Sequence, residues 1–276
     1  MPCIVRVLTP DGLFPATYTA DSLADAAHHE PADGVYTVTN TVDTFNVLKL
    51  DAHLNRLEDS ARRAGMPLRL DRAHLRAALR TMIADSGFGD VRFRVTALRD
   101  QPEHYILSIE PFTPIAPRLI AEGVRCATLA GSARQDAAIK STDWMHQRGH
   151  LAESLLPGVY EGLLLDAGGY ILEGLSSNFY AVREGVLFTA GAGVLPGIAQ
   201  QVVVEVAAAV LPVHWQAVHA DDVPGLDEAF ITSSSRGIVP VVAIDAHTIG
   251  DGRPGPFTRR LRDRYDAWVR DHLEAL

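Results

Sequence analysis

Val159–Thr189 reads VYEGLLLDAGGYILEGLSSNFYAVREGVLFT. Aliphatic and aromatic runs are punctuated by Gly168–Gly169 and by Arg183-Glu184-Gly185, which predicts three or four short strands in a meander: VYEGLLLD, YILEG, NFYAV and VLFT. Glu173 lies inside this apolar run and is followed by Gly174. Carboxylates are rarely fully buried without a partner, so the stretch poses the question of which cation Glu173 meets.

The pattern extends in both directions. Towards the C-terminus, GVLPGIAQQVVVEVAAAVL predicts a helix opening near Gly197, and EAFITSSSRGIVPVVAID a strand, a serine-rich turn and a strand. PFTRRLRDRYDAWVRDHLEAL predicts an amphipathic helix with Phe257, Leu261, Tyr265, Trp268 and Leu273 on its apolar side. Towards the N-terminus, IAEGVRCATLA predicts a strand, with a helix near Met145–Leu155 following it. PFTPIAPRL carries Pro111, Pro114 and Pro117 and predicts a linker. Before it, CIVRVLTP and LFPATYTA form a hairpin around Asp11-Gly12, residues 21–33 read as a loop, and GVYTVTNTVDTFNVLKL alternates as two strands. DAHLNRLEDSARRAGM has helical spacing and a stop at Gly65. DRAHLRAALRTMIADSG is a second helix, capped by Asp71 and ended by Gly87. VRFRVTAL and HYILSIEPF are strands. The order is α+β, with an N-terminal domain over residues 1–112, a linker over 113–121 and a C-terminal domain over 122–276.

The chain has 276 residues, of which 47% are hydrophobic and 21% charged, the composition of an ordinary soluble globular protein of one large domain or two. No apolar run reaches the length of a membrane span, and MPCIVRVLTPDG lacks the pattern of a signal peptide. Two cysteines, Cys3 and Cys126, make no disulfide framework and fit a reducing cytoplasm. A net charge of −9 of mixed sign argues against nucleic acid as the main partner. No metal-ligand pattern is read.

Five features carry chemistry. Lys140, in DAAIKSTDW, has small apolar neighbours that favour a free amine able to form a Schiff base; the alternative is a surface lysine. Lys49 and Lys140 are the only lysines in an arginine-rich chain. Arg56, in HLNRL, offers a fork of donors suited to phosphate, or an i,i+3 pair with Asp59. Gly197 opens a helix whose N–H groups could hold an anion, or simply makes a turn. Ser233, Ser234 and Ser235 add hydroxyls in a second turn, beside Arg236, which either pairs with an anion or faces solvent. Glu173 is the fifth. An amine, a phosphate arginine, two anion-friendly turns and a buried carboxylate together describe a site for pyridoxal 5'-phosphate. Its aldehyde condenses with a lysine, and its ring nitrogen needs an acidic partner to stay protonated.

From about Gly34 to Val241 the chain resembles the class IV, fold-type IV pyridoxal-phosphate enzymes: D-amino acid aminotransferase, branched-chain aminotransferase and aminodeoxychorismate lyase. HLNRL resembles the family's phosphate-arginine motif HxxRL, implying that role for Arg56. IKSTDW resembles the segment of the Schiff-base lysine, implying Lys140, and EGLSSNFYAV is very like EGxSSNxF, implying that Glu173 meets the ring nitrogen. VLPGI resembles the LPGI turn, implying Leu195 against the ring face and the amides of Gly197 and Ile198 at the phosphate. TSSSRGIVPV resembles the second phosphate turn, implying Ser233 and Ser234, with Ser235 on the substrate side.

Departures narrow the resemblance. Ala199 stands where the family often has threonine, and Met145 where branched-chain aminotransferases usually carry a tyrosine. The KSTDW context is nearer to D-amino acid aminotransferase and the lyase. Tyr36, in DGVY, matches the tyrosine that holds the substrate carboxylate in D-amino acid aminotransferase, but the accompanying Arg-x-His pair is missing; RDQPEH stands nearby. Arg92 and Arg94 alternate on one face of VRFRVT, and Arg94 is the expected replacement. The resemblance implies a small N-terminal α/β sandwich, a larger C-terminal pseudo-barrel domain carrying the cofactor lysine, and a homodimer. It also implies transamination between a small amino donor and a 2-oxo acid. Elimination of the lyase type and non-catalytic cofactor binding are the alternative expectations.

Overall fold

The computed structural model describes residues 3–276. Alternation in the N-terminal part becomes strands β1 (Ile4–Thr9), β2 (Gly12–Pro15), β3 (Gly34–Val42), β4 (Asn46–Leu48), β5 (Val91–Leu98) and β6 (Gln101–Pro111). Helices α1 (Leu23–His29), α2 (Leu50–Arg63) and α3 (Arg72–Ser86) interrupt them. The Asp71 side chain accepts from the His74 N–H, and Gly87 ends α3 in the left-handed region at φ 64°, where glycine carries no steric cost. Helix α1 departs from the loop expected over residues 21–33. Ser22 caps it by accepting from the Asp25 N–H, and Leu23 and Ala26 are buried, so packing sustains a helix too short to persist alone.

The later elements are α4 (Pro117–Glu122), β7 (Val124–Leu129), α5 (Thr142–Glu153), β8 (Glu161–Leu165), β9 (Tyr170–Gly174), β10 (Asn178–Arg183), β11 (Val186–Phe188) and α6 (Ile198–Ala207). After them come β12 (Val213–His214), β13 (Val218–His219), β14 (Glu228–Ser233), β15 (Gly237–Ile244), β16 (His247–Thr248), α7 (Pro256–Asp271) and β17 (Leu273–Ala275). The expected linker holds all but the last residue of α4. Pro117 occupies its first turn, where a missing N–H costs nothing. Helix α7 stops at Asp271, short of the expected end, and Leu273 belongs to β17.

By packing, the chain forms two units. The first takes the described residues up to Thr113, with Ile139–Gln147 and His272–Leu276; the second takes Pro114–Ala138 and Arg148–Asp271. These bounds differ from those expected at two places: Lys140 packs with the first unit, and so does β17.

The first unit is built on one antiparallel sheet in the order β17-β4-β3-β5-β6-β1-β2. Period-two alternation sorts its faces. Phe93, Val95, Ala97, Leu107 and Ile109 pack with Leu50, Leu54 and Leu57 of α2 and Leu75, Leu79 and Ile83 of α3. Full burial of each large apolar side chain there contributes roughly 1.5–3 kcal/mol. The register places Tyr36 opposite Thr96 and Val38 opposite Arg94, so these four share the other face.

In the second unit β10-β14-β15-β7-β8-β9 run in sequence as neighbours, and β9 also pairs with β10. This closes a six-stranded barrel. The closing contact is a single pair, Glu173 opposite Asn178. Away from that pair, β10 takes β11 and β9 takes β13 as neighbours, so the expected meander is interrupted where EGLSSN turns. Gly174 is required at this turn. A Cβ there would lie 2.2 Å from the Ser177 Oγ and 2.8 Å from the Glu161 Oε1.

Candidate active site

In the first unit, α2 delivers the HLNRL residues. His53 is fully buried. Its Nδ1 lies 3.0 Å from the Thr37 Oγ1 of β3, and its Nε2 is buried without a hydrogen-bond partner. Burial, and then the charges of Arg56 and Lys140, hold its pKa well below the usual imidazole value of 6.5, so the ring is neutral. Asp59, the alternative partner considered for Arg56, binds Arg62 and, at 2.6 Å, Arg63.

Lys140 is fixed by its backbone. Its N–H donates to the Ser60 Oγ of α2 at 3.2 Å, and its carbonyl accepts the Tyr36 N–H of β3 at 2.9 Å. Ser141 bridges to Val35. The side-chain amine lies 4.7 Å from the centroid of the buried Tyr36 ring. Tyr36, His53, Arg56 and Lys140 are thus gathered in one unit although they come from three separate segments.

Arg94 is not placed to hold a substrate carboxylate. It is buried, with Nε 3.1 Å from the Glu30 Oε1, Nη2 on the same oxygen and Nη1 donating to the Leu23 carbonyl at 2.7 Å. The other Glu30 oxygen accepts from the Thr96 hydroxyl at 2.6 Å. Removing the guanidinium from this pair would leave a buried carboxylate uncompensated, which is why Arg94 stays with Glu30. The residue that engages it comes from the end of α1, the helix absent from the sequence-based expectation.

In the second unit, Glu173 is the penultimate residue of β9 and has a cation within its own unit. The Arg134 Nη1 lies 3.1 Å from Glu173 Oε1, and both side chains are only 5% exposed. Oε2 accepts the Leu195 N–H at 3.0 Å, and the Asn178 amide donates to the Leu195 carbonyl at 3.0 Å. The LPGI turn is therefore strapped to both strands at the barrel seam. Gly197 caps α6 and has no room for a side chain, since a Cβ would lie 2.0 Å from the Asn178 Oδ1.

The serine turns form a second buried cluster. Glu161 of β8 pairs with Arg236 at 2.6 Å and accepts from the Ser176 N–H at 2.7 Å and the Ser177 hydroxyl at 2.9 Å. Burial by itself would raise the Glu161 pKa, but the Arg236 charge and these hydrogen bonds outweigh it and hold the carboxyl below the usual range. Arg236 also donates to the Ser233 Oγ at 2.8 Å and the Ser176 Oγ at 2.9 Å. Of the two alternatives for Arg236, the structure takes the anion, and that anion is Glu161. Ser234 and Ser235 are half-buried in the same turn.

These residues fit a phosphorylated pyridine aldehyde. Helix α6 opens without a side-chain cap, which leaves its first-turn N–H groups for an anion. The Gln200 Nε2 in that turn is buried without a partner. The first unit, taken by itself, carries an amine, Lys140, and the Arg56 guanidinium.

An antiparallel sheet carrying a lysine, and a six-stranded barrel carrying a buried carboxylate, are the two units of fold type IV. The profile of the family described as "Amino-transferase class IV" matches residues 34–244, and the chain belongs to that family. It is 28% identical over 243 residues to a D-alanine aminotransferase of Bacillus licheniformis, covering 83% of this chain and 85% of that one. It is 25% identical over 267 residues to a branched-chain-amino-acid aminotransferase of Pseudomonas aeruginosa, covering 88% and 86%. The crystal structure of the T.th. branched-chain amino acid aminotransferase with pyridoxamine 5'-phosphate superposes with a TM-score of 0.82 at 22% identity, over 99% of this chain and 98% of that one.

Sequence reasoning missed three buried neighbours of the expected site residues. Glu161 carries the same signal as Glu173, a carboxylate in an apolar strand. His53 heads the HLNRL motif from which only Arg56 was drawn. Arg134 has no local signal, since GSARQD reads as an ordinary polar loop.

Proposed function

We propose that the chain is a pyridoxal-phosphate-dependent aminotransferase in which Lys140 is the covalent anchor and the proton carrier. It moves an amino group between an amino acid, or a simple amine, and a 2-oxo acid. When bound, the cofactor supplies a carbonyl for the incoming amine and a ring that stores the electrons released at the substrate carbon.

The chain's own residues do the rest. The Lys140 Nζ takes a proton and returns it, acting in turn as general base and acid. The Tyr36 ring at 4.7 Å offers its face to the ammonium form. Arg56 presents a donor fork to the phosphate, joined by the amides of Gly197 and Ile198 and by Ser233 and Ser234. Neutral His53 avoids a third positive charge beside Arg56 and Lys140. Glu173 faces the ring nitrogen and Leu195 the ring. Tyr36 and Ser235 border the substrate, and the carboxylate clamp expected of Arg94 has no part in the reading.

One observation carries the proposal. The Lys140 N–H donates to the Ser60 Oγ of α2 at 3.2 Å, one helical turn from Arg56, which supports reading these two residues, distant in sequence, as parts of one neighbourhood. Two copies are expected to form an isologous dimer, the commonest assembly. Both cysteines are unbridged, which suits the cytoplasm. No helix among the described residues is long and apolar enough to cross a membrane.

The test is a half-reaction screen. The cofactor-loaded protein is mixed with D-alanine, D-glutamate, L-leucine, L-glutamate and 1-phenylethylamine, and its absorbance is followed. Conversion to the amine form by at least one donor is expected. A loaded protein that none of them converts overturns the proposal.

A further inference from the structure

The Arg134–Glu173 pair changes what Glu173 can do. A carboxylate that met only a ring nitrogen would bring its whole negative charge to that nitrogen and hold the proton there firmly. Glu173 is already committed on both oxygens. Oε1 faces the Arg134 guanidinium at 3.1 Å, and Oε2 accepts the Leu195 N–H at 3.0 Å. Both charged side chains are 5% exposed, so water does little to screen them. Arginine keeps its proton at any working pH, so the compensation does not switch off.

We propose that Arg134 is a positioning residue that sets the protonation of the cofactor's ring nitrogen by acting through Glu173. The inference rests on the reading that Glu173 meets that nitrogen. The guanidinium fixes the carboxylate's orientation at the barrel seam and takes a share of its charge. A carboxylate so compensated is a weaker base towards a third donor. The ring proton is therefore shared between nitrogen and carboxylate less in the nitrogen's favour than a lone glutamate would make it. The pair persists when the cofactor is bound, because separating it would leave a buried guanidinium without its anion. The consequence is a ring of moderated electron demand, set by a residue from the loop between β7 and α5, outside every motif the sequence shows.

The experiment loads the apoprotein with cofactor labelled with 15N in the ring and reads the ring-nitrogen chemical shift. The wild-type protein should give a value between those of the neutral and fully protonated rings. Arg134→Gln should move the signal upfield, towards the protonated value, because Glu173 regains its full charge. Glu173→Gln should move it downfield, towards the neutral value. The double variant Arg134→Gln/Glu173→Gln should match Glu173→Gln alone, since Arg134 acts only through that carboxylate. A purely structural role for Arg134 would not move this signal. An Arg134→Gln signal at the wild-type position, with Glu173→Gln shifted, overturns the inference and leaves the Glu173 reading standing. Signals unmoved in both variants overturn the two together. If Arg134→Gln does not fold, Arg134→Met gives the same reading, and the wild-type spectrum remains decisive: a signal at the fully protonated limit overturns the proposal.

Discussion

The two units hold their charged residues in opposite ways. In the first, His53 is kept neutral by burial and then by the charges of Arg56 and Lys140. In the second, each buried carboxylate of the site has a guanidinium: Glu173 has Arg134 and Glu161 has Arg236. A buried carboxylate that must hold its charge still is useful only where a cation is locked beside it. On the proposed reading, the first unit serves a moving proton and an incoming anion, the second a fixed field.

The largest expected effect lies on the moving side. Lys140→Ala should lower turnover by at least about 10²–10⁴-fold, the contribution of a positioned acid–base group. Steady-state and single-turnover rates would show it. The same variant should barely alter the urea midpoint, since the backbone contacts of residue 140 remain. A loss of rate under tenfold would place the proton transfer elsewhere.

On the fixed side the largest effect falls on stability. Arg236→Met leaves Glu161 buried without its cation, and breaking such a pair costs about 3–5 kcal/mol. Urea unfolding of the apoprotein measures this. Because the folded pKa of Glu161 is depressed, its contribution is present above the unfolded carboxylate value and is lost as pH falls towards the folded one. The difference between wild type and variant should therefore narrow in acid. A difference constant down to low pH would contradict the pairing.

How much of this was legible in the sequence follows from where each signal lies. Strand alternation, the Asp71 cap and the Gly87 stop are local, and the elements they predict are present. Glu173, Gly197 and Lys140 lie in recognisable local contexts. What could not be read depends on register and tertiary approach. Arg94 looks available along β5, and only the fold shows Glu30 beside it. Helix α1 has little periodicity of its own and forms because Leu23 and Ala26 find a surface to cover. Arg134 meets Glu173 through a tertiary approach of the loop between β7 and α5 to β9, which no stretch of sequence contains.

Two smaller effects sharpen the contrast. Gly197→Ala forces a Cβ to within 2.0 Å of the Asn178 Oδ1 and should destabilise by about 1–3 kcal/mol, the usual cost of overpacking. It should weaken binding of the phosphorylated cofactor more than that of pyridoxal, which a fluorescence titration with each would show. His53→Gln should act through pH. The depressed folded pKa of His53 means that its contribution is present above the unfolded value of 6.5 and declines as pH falls below it, by at most about 1.4 kcal/mol per unit. The variant's urea midpoint should therefore fall less steeply than the wild type's below that pH; parallel slopes would mean that His53 is not held neutral.

The most direct test of the account uses the scarcity of lysine. The chain has two, Lys49 and Lys140. The cofactor-loaded protein is reduced with borohydride and digested, and the phosphopyridoxyl group is located by mass spectrometry. The account predicts it on the peptide containing Lys140 and on no other. A label on Lys49, or no label on a protein that carries the cofactor, would contradict it.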